Sequence, residues 1–307
     1  MSVSSAIFYG FCSGSMAFLN KTILTSYNFQ HPSILLFGQM IFTSIILRSL
    51  KTLGYLLLPD VTYDNLILCA LPSVFYTIHA GLALSALGGM SIPMYTVLKR
   101  CVPLANLLLA VIVLGRGMPR MGVVASVLVI TVGCVIAGLG DLTFDLTAYV
   151  AGILSVLSQA SYLTLVQKLS LNSKMTATGI LYLNTLICTP FLFIFILLTF
   201  NLSTLSTYQY IKDPLFISLL VLVMCMGMML NYSIFLCTTL NSALTTSIVG
   251  VIKGVVTTLI GMVTFGGVQL TVLNVIGMIV NTIGSVWYVY EKYLETLVSK
   301  RIENCQV

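Results

Sequence analysis

Four basic side chains lie inside long apolar segments of this chain: Lys21, Lys99, Arg100 and Lys253. These segments contain no Asp or Glu that could neutralise them. A charge at the centre of a bilayer costs roughly 2.5–3.5 kcal/mol on insertion scales, whereas a leucine could fill a packing role without that cost. We therefore expect a water-filled cavity that binds an anion with more than one negative charge, such as a phosphate ester.

The composition is that of a membrane protein, because 58% of the residues are apolar and only 7% are charged. Soluble domains carry about 25% charged residues. The apolar runs have the length that a bilayer-spanning helix needs, about 20 residues. They predict an all-α membrane protein with ten transmembrane helices, at 4–26, 33–52, 65–87, 91–114, 120–140, 146–167, 176–200, 214–238, 243–265 and 269–290.

The polar residues predict neither a catalytic site nor a metal or cofactor site. The eight cysteines form no CxxC pair, and His31 and His79 are the only histidines beside them. Cysteines in such apolar surroundings behave as small buried hydrophobic residues. We expect a protein that is not an enzyme, needs no cofactor and binds no nucleic acid.

The distribution of basic residues predicts the orientation in the membrane. If the N-terminus is cytosolic, the cytosolic segments hold nine Lys and Arg residues, and the opposite side holds only Lys212. Because loops rich in Lys and Arg stay in the cytosol, we expect both termini to be cytosolic.

Two stretches of the chain are similar in pattern, Gly88 to Lys99 and Ser242 to Lys253. Their lysines fall on the fourth and the ninth predicted spans. An offset of five spans is odd, so the two copies run through the membrane in opposite directions, as in secondary transporters with inverted repeats. We expect a first five-helix repeat at 1–142, a second at 143–292 and a cytosolic tail at 293–307.

The ninth span presents Thr246, Gly250 and Lys253 on one helical face, since they are spaced four and three residues apart. Lys253 is the first candidate for a phosphate ligand, with Gly250 letting the ligand approach the backbone. Gly250 and Gly254 also form a pair of small residues four apart, which is typical of close helix packing in membranes. Both interpretations of the glycines stay open.

The fourth span contributes Tyr95 and Lys99 on one face, while Arg100 is about 100° further around an ideal helix. Lys99 is the second candidate for a phosphate ligand. Arg100 could make a bidentate phosphate contact or extend to the cytosolic surface. Tyr95 could stack on a base or hydrogen-bond a sugar, and it could equally be a core or interfacial tyrosine.

Three further polar residues are candidate ligands with an ordinary alternative. Lys21 lies near the end of the first span, where a lysine can extend its amine to the membrane surface. Tyr182 and Asn184 lie among apolar residues of the seventh span and require partners. A hydrogen bond between helices would satisfy them as well as a substrate would.

At these residues the chain resembles the nucleotide-sugar transporter family (solute carrier family 35), within the drug/metabolite transporter superfamily. The segment from Asn241 to Lys253 resembles the span-9 signature of its subfamily D. The Asn20-Lys21 pair matches the span-1 pair of that subfamily, so the resemblance makes Asn20 a further candidate ligand. The segment from Pro93 to Arg100 matches its span-4 motif, and Asp141 to Asp145 matches the loop before span 6.

The resemblance implies ten helices in a five-plus-five inverted repeat, a Golgi or ER membrane, and exchange of a nucleotide sugar for the nucleoside monophosphate. Fungal carriers of GDP-mannose have a Phe-Tyr-Asn-Asn motif on span 7, where this chain has Tyr182 to Thr185. Their Gly-Ala-Leu-Asn-Lys motif on span 9 is replaced by Gly250 to Gly254. Both differences favour a UDP-sugar over a GDP-sugar.

The sequence therefore predicts an antiporter that imports a UDP-sugar, such as UDP-N-acetylglucosamine or UDP-glucuronic acid, into the Golgi or ER lumen in exchange for UMP. Its expected partners are these small molecules and membrane lipid, and a homodimer is left open. One alternative is an exchanger of other phosphorylated metabolites on the same fold. Another is a membrane adaptor that does not transport.

Overall fold

The computed structural model describes residues 2–27, 29, 32–89, 95, 98–115, 117, 119–139, 146–173, 175–199, 208–210, 212–265 and 271–305. Every regular element in these ranges is a helix, which confirms the predicted all-α fold class. The ten helices are α1 (Ser2–Ser26), α2 (Pro32–Thr52), α3 (Tyr63–Gly89), α4 (Val102–Leu114), α5 (Met121–Gly138), α6 (Leu146–Ser173), α7 (Ala177–Thr199), α8 (Pro214–Leu240), α9 (Ala243–Phe265) and α10 (Val272–Cys305).

The helices have the length and surface of membrane-spanning segments. Within the described residues, α2, α3, α6, α7 and α8 are each long and apolar enough to cross a bilayer, and α4 and α5 are shorter apolar helices. Large apolar side chains also cover the outside of the bundle, for example Ile112 and Leu198. Apolar side chains on the outside of the bundle suit contact with lipid. The backbone suits lipid too, because each helix satisfies its own N–H and C=O groups.

Most helix pairings among the described residues repeat when each helix is exchanged for the one five positions away in the chain. The α3–α6 pairing has its counterpart in α8–α1, the α4–α6 pairing in α9–α1, and the α3–α7 pairing in α8–α2. The pairs α2–α7, α4–α9 and α5–α10 map onto themselves. This is the arrangement that an inverted repeat produces.

Helices α5 and α10 approach each other most closely at glycines. A Cβ atom on Gly133 would lie 2.7 Å from the backbone nitrogen of Asn281, and one on Gly284 would lie 2.9 Å from that of Ile130. Asn281 donates a hydrogen bond to the carbonyl oxygen of Ile130 at 3.0 Å. Small residues and a buried amide thus hold this pair together, as is usual between membrane helices.

The fourth span differs from the continuous helix predicted for 91–114. Tyr95, Leu98 and Lys99 are helical, but the chain turns at Arg100 and Cys101 before α4 begins. Pro103 explains the break, because proline has no N–H to donate within a helix and its ring clashes with the preceding turn. Helix α10 runs on to Cys305, through most of the segment 293–307.

Candidate functional site

A cavity of about 480 Å³ lies among the helices of the bundle. Side chains of α1, α2, α3, α6, α8 and α9 line it, together with α4 and the turn before α4. Sites for small molecules typically have volumes of about 300–1,000 Å³. The cavity is therefore large enough for a metabolite.

Three of the predicted cations line this cavity, Lys99, Arg100 and Lys253. The Lys253 amine donates a hydrogen bond to the hydroxyl of Ser13 at 2.7 Å. The Lys99 amine lies 5.0 Å from the centre of the Tyr95 ring, within the range of a cation–π contact. Since the described lining residues include no Asp or Glu, the wall of the cavity carries a net positive charge.

Arg100 reaches the cavity because the fourth span is broken. On a continuous helix it would point about 100° away from Lys99, but both side chains line the same space. The Cys101 N–H donates to the carbonyl of Leu98 at 3.0 Å, closing a tight turn between the two segments. Val102, the first residue of α4, also lines the cavity, so the positive end of the helix dipole adds to the charge there.

Several buried polar atoms in the lining have no hydrogen-bond partner among the described residues. They are Asn20 Oδ1, Tyr95 Oη, Gln159 Oε1, and Nε and Nη1 of Arg100. An unsatisfied buried group costs about 1–3 kcal/mol, and more when it is charged. Both donors and acceptors are therefore left unsatisfied in the residues that line the cavity.

Another part of the lining is aromatic and is formed by α3 and α6. The Tyr76 and Tyr162 rings meet edge to face with their centres 5.4 Å apart. His79 lies beside them, with its ring centre 6.1 Å from that of Tyr162. The Tyr76 hydroxyl donates to Asn231 Oδ1 on α8 at 3.2 Å. The cavity lining thus contains aromatic rings as well as cations.

The predicted face of α9 lines the cavity and also packs against α1. Thr246 and Gly250 line the cavity with Lys253. A Cβ atom on Gly250 would lie 3.4 Å from the Tyr9 hydroxyl, so this glycine also permits close contact with α1. Gly254 lines the cavity as well.

Hydrogen bonds from neighbouring helices hold the start of α9 in place. Gln167 on α6 accepts from the backbone N–H of Ala243 at 2.9 Å, and the side-chain amide of Asn106 on α4 donates to the Ala243 carbonyl at 3.3 Å. Thr164 in turn donates to Asn106 at 3.2 Å. This polar cluster fixes the helix that carries Lys253.

Seven of the ten residues predicted for the site line the cavity, namely Asn20, Tyr95, Lys99, Arg100, Thr246, Gly250 and Lys253. Tyr182 and Asn184 do not line it. They are buried in α7, where Asn184 Oδ1 accepts from the Cys188 thiol at 3.5 Å. The side chain of Lys21 lies outside the described residues.

The sequence analysis missed His79 and Gln159, which the structure places in the cavity wall. A signal for them was present, because ionisable and strongly polar residues within membrane spans usually serve function. Neither residue belongs to a recognisable motif in the sequence.

Known proteins resemble this chain over nearly its whole length. Residues 3–289 match the Triose-phosphate Transporter family. UDP-galactose/UDP-glucose transporter 7 of Arabidopsis thaliana is 39% identical, covering 95% of this chain and 90% of the relative. Nucleotide sugar transporter SLC35D2 of Mus musculus is 34% identical, covering 92% and 87%. One crystal structure shares the fold with a TM-score of 0.66 at 14% identity, over 98% of this chain and 99% of that one.

Proposed function

Because this chain belongs to the Triose-phosphate Transporter family, we propose that it is a nucleotide-sugar transporter that exchanges a UDP-sugar for UMP. One observation carries the proposal: Lys99 and Arg100 from the broken fourth span and Lys253 from α9 line one cavity between the helices. Such a cluster of cations suits an anion held between the two halves of a transporter.

Charge balance favours a substrate with phosphate groups. Three cations in the membrane cost roughly 2.5–3.5 kcal/mol each to insert, and a bound dianion offsets that cost by direct contact with them. The diphosphate of a UDP-sugar carries about two negative charges. UMP carries nearly the same charge at neutral pH, because its second phosphate pKa is about 6. The same cavity therefore serves both directions of an exchange.

The similar proteins favour a uridine nucleotide. The Arabidopsis relative is named for UDP-galactose and UDP-glucose, and the mouse relative for nucleotide sugars. The absence of the GDP-mannose motifs at Tyr182 to Thr185 and at Gly250 to Gly254 points the same way. UDP-N-acetylglucosamine and UDP-glucuronic acid remain the sugars expected from the sequence.

We further propose that the two halves, 1–142 and 143–292, move against each other around the bound substrate. The repeated helix pairings support this division. A substrate shifts the equilibrium between the two open states only if it binds one state more tightly. Lys99 from the first half and Lys253 from the second would then hold one anion between them.

The proposed site of action is a Golgi or ER membrane, with both termini in the cytosol. The orientation rests on the excess of Lys and Arg in the predicted cytosolic segments. UDP-sugar would then enter the lumen and UMP would leave it. In alternating access, the UDP-sugar enters the cavity from the cytosol and UMP enters the same cavity from the lumen.

The family name itself supports one alternative, the exchange of smaller phosphorylated metabolites for phosphate. The cationic wall suits such compounds too, but a triose phosphate would leave the aromatic wall of Tyr76 and Tyr162 uncovered. Binding to purified protein separates the two: UMP displaces a bound UDP-sugar in our proposal, whereas inorganic phosphate and triose phosphate displace the ligand in the alternative.

A further inference from the structure

His79 is held by α6 through an unusual set of contacts. Its Nδ1 atom lies 3.0 Å from the backbone carbonyl oxygen of Ser155 and 2.9 Å from the Ser155 hydroxyl. The same hydroxyl donates to the backbone carbonyl of His79 at 3.2 Å. Ser155 is almost completely buried. The imidazole orientation is therefore fixed by two partners on one residue.

These contacts determine which ring nitrogen carries the proton. A carbonyl oxygen only accepts hydrogen bonds, and the single hydroxyl proton of Ser155 is used on the His79 carbonyl. Nδ1 must therefore donate, and in a neutral ring Nε2 is then an acceptor. A second proton on the ring would add a fourth positive charge to a cavity that already contains Lys99, Arg100 and Lys253. The geometry thus favours the neutral ring.

Nε2 is available to a ligand in the cavity. His79 lines the cavity wall and is half-buried, and no described residue forms a hydrogen bond with its Nε2. Its ring lies at 33° to that of Tyr162, and the Tyr76 ring meets Tyr162 edge to face. The lone pair of Nε2 lies in the plane of the imidazole ring, so a heterocycle placed at that edge of the ring can donate to it while the cations hold its phosphate.

We propose that His79 Nε2 accepts a hydrogen bond from the imide N3–H of uracil, and that this contact makes the site select uridine over cytidine nucleotides. Uracil presents a donor at N3, whereas cytosine presents an acceptor there. Two acceptors cannot form a hydrogen bond with each other. A site therefore strongly rejects a ligand that leaves one of its buried polar groups without a partner. This inference rests on the proposed function, since it requires a nucleotide in the cavity.

The test measures the binding of three nucleotides to the purified protein: UMP, CMP and 3-methyl-UMP, in which a methyl group replaces the N3 proton. We expect UMP to bind roughly tenfold or more tightly than the other two, the effect of one buried hydrogen bond. The variant His79→Phe keeps a flat ring without an acceptor. Its affinity for UMP should fall to its affinity for 3-methyl-UMP.

His79→Gln supplies a second variant, because an amide can donate as well as accept. Its preference for UMP over CMP should fall towards one. Ser85→Ala is the matched control: Ser85 lies on the same helix, is exposed, and donates a hydrogen bond to the carbonyl of Gly81 in its own helix. It should retain the full preference for UMP.

Equal binding of UMP and 3-methyl-UMP to the natural protein would overturn the role of His79 and leave the nucleotide-sugar proposal standing. An unchanged UMP preference in His79→Phe would overturn it too. If the natural protein bound phosphate or triose phosphate but none of the three nucleotides, the proposed function itself would be wrong. The comparison within the natural protein needs no variant, so a misfolded His79→Phe would not prevent the test.

Discussion

Removal of the Lys253 charge should abolish transport without unfolding the protein. The structure places the Lys253 amine in the cavity wall, 2.7 Å from the Ser13 hydroxyl. If it binds a phosphate there, the lost contact is a charge-assisted hydrogen bond of about 1.5–3 kcal/mol. UMP should then bind roughly 10- to 150-fold more weakly to Lys253→Ala.

The effect on stability should be small because two contributions oppose each other. The substitution removes a charge that costs roughly 2.5–3.5 kcal/mol to place in the membrane. It also removes the bond to Ser13, worth about 1.5–3 kcal/mol for a charged donor. The net change should lie between a loss of about 0.5 kcal/mol and a gain of about 2 kcal/mol, by difference of these two ranges. Lys253→Met, which keeps the length of the side chain, should behave in the same way.

Nucleotide exchange in vesicles and the melting temperature in one detergent should be measured for each variant. Lys253→Arg should also impair exchange, because a planar guanidinium does not replace a compact ammonium in a shaped site. Lys168→Ala is the control, since Lys168 is exposed at the end of α6 and outside the cavity. Full exchange by Lys253→Ala would refute the cavity argument, and a large drop in its melting temperature would indicate a structural lysine.

Three further predictions follow from the same structure. Tags on both termini should be digested by protease added outside sealed Golgi vesicles, and a protected C-terminus would contradict the ten-helix topology. UMP should raise the melting temperature more than GMP, CMP or AMP at equal concentration, because ligands stabilise in proportion to RT ln(1 + [L]/Kd); a GMP preference would contradict the UDP-sugar assignment. Gly284→Leu should destabilise the protein by about 1–3 kcal/mol or more, because its side chain would be overpacked against Ile130. Gly117→Ala is the control and should have no effect, since no described atom lies within 4 Å of its Cβ position. Equal melting temperatures of the two variants would show that α5 and α10 do not pack as described.

The fold was largely predictable because apolar runs of membrane length are separated by charged and turn-forming residues. The cations were predictable for a similar reason, since a charge within such a run has few structural uses. The convergence of Lys99 and Arg100 was not, because it depends on the turn that Pro103 imposes. An ideal helix places the two side chains on different faces.

The polar residues of the spans were harder to assign. In a soluble helix the polar face identifies the outside, but here both the lipid-facing and the core-facing sides are apolar. Nothing in the sequence therefore distinguishes Asn184, which lies in the packing of α7, from Gln159, which lines the cavity. Whether such a side chain faces a neighbouring helix or the cavity depends on how the helices pair.

One measurement tests the central claim most directly: uptake of radiolabelled UMP into vesicles that contain the purified protein and are loaded with different unlabelled compounds. Our account predicts that UMP or a UDP-sugar inside the vesicles accelerates uptake strongly, and that Lys99→Ala and Lys253→Ala abolish the acceleration while Lys168→Ala retains it. Uptake that responds only to internal phosphate or triose phosphate, or that does not respond to any internal anion, would contradict a nucleotide-sugar exchanger.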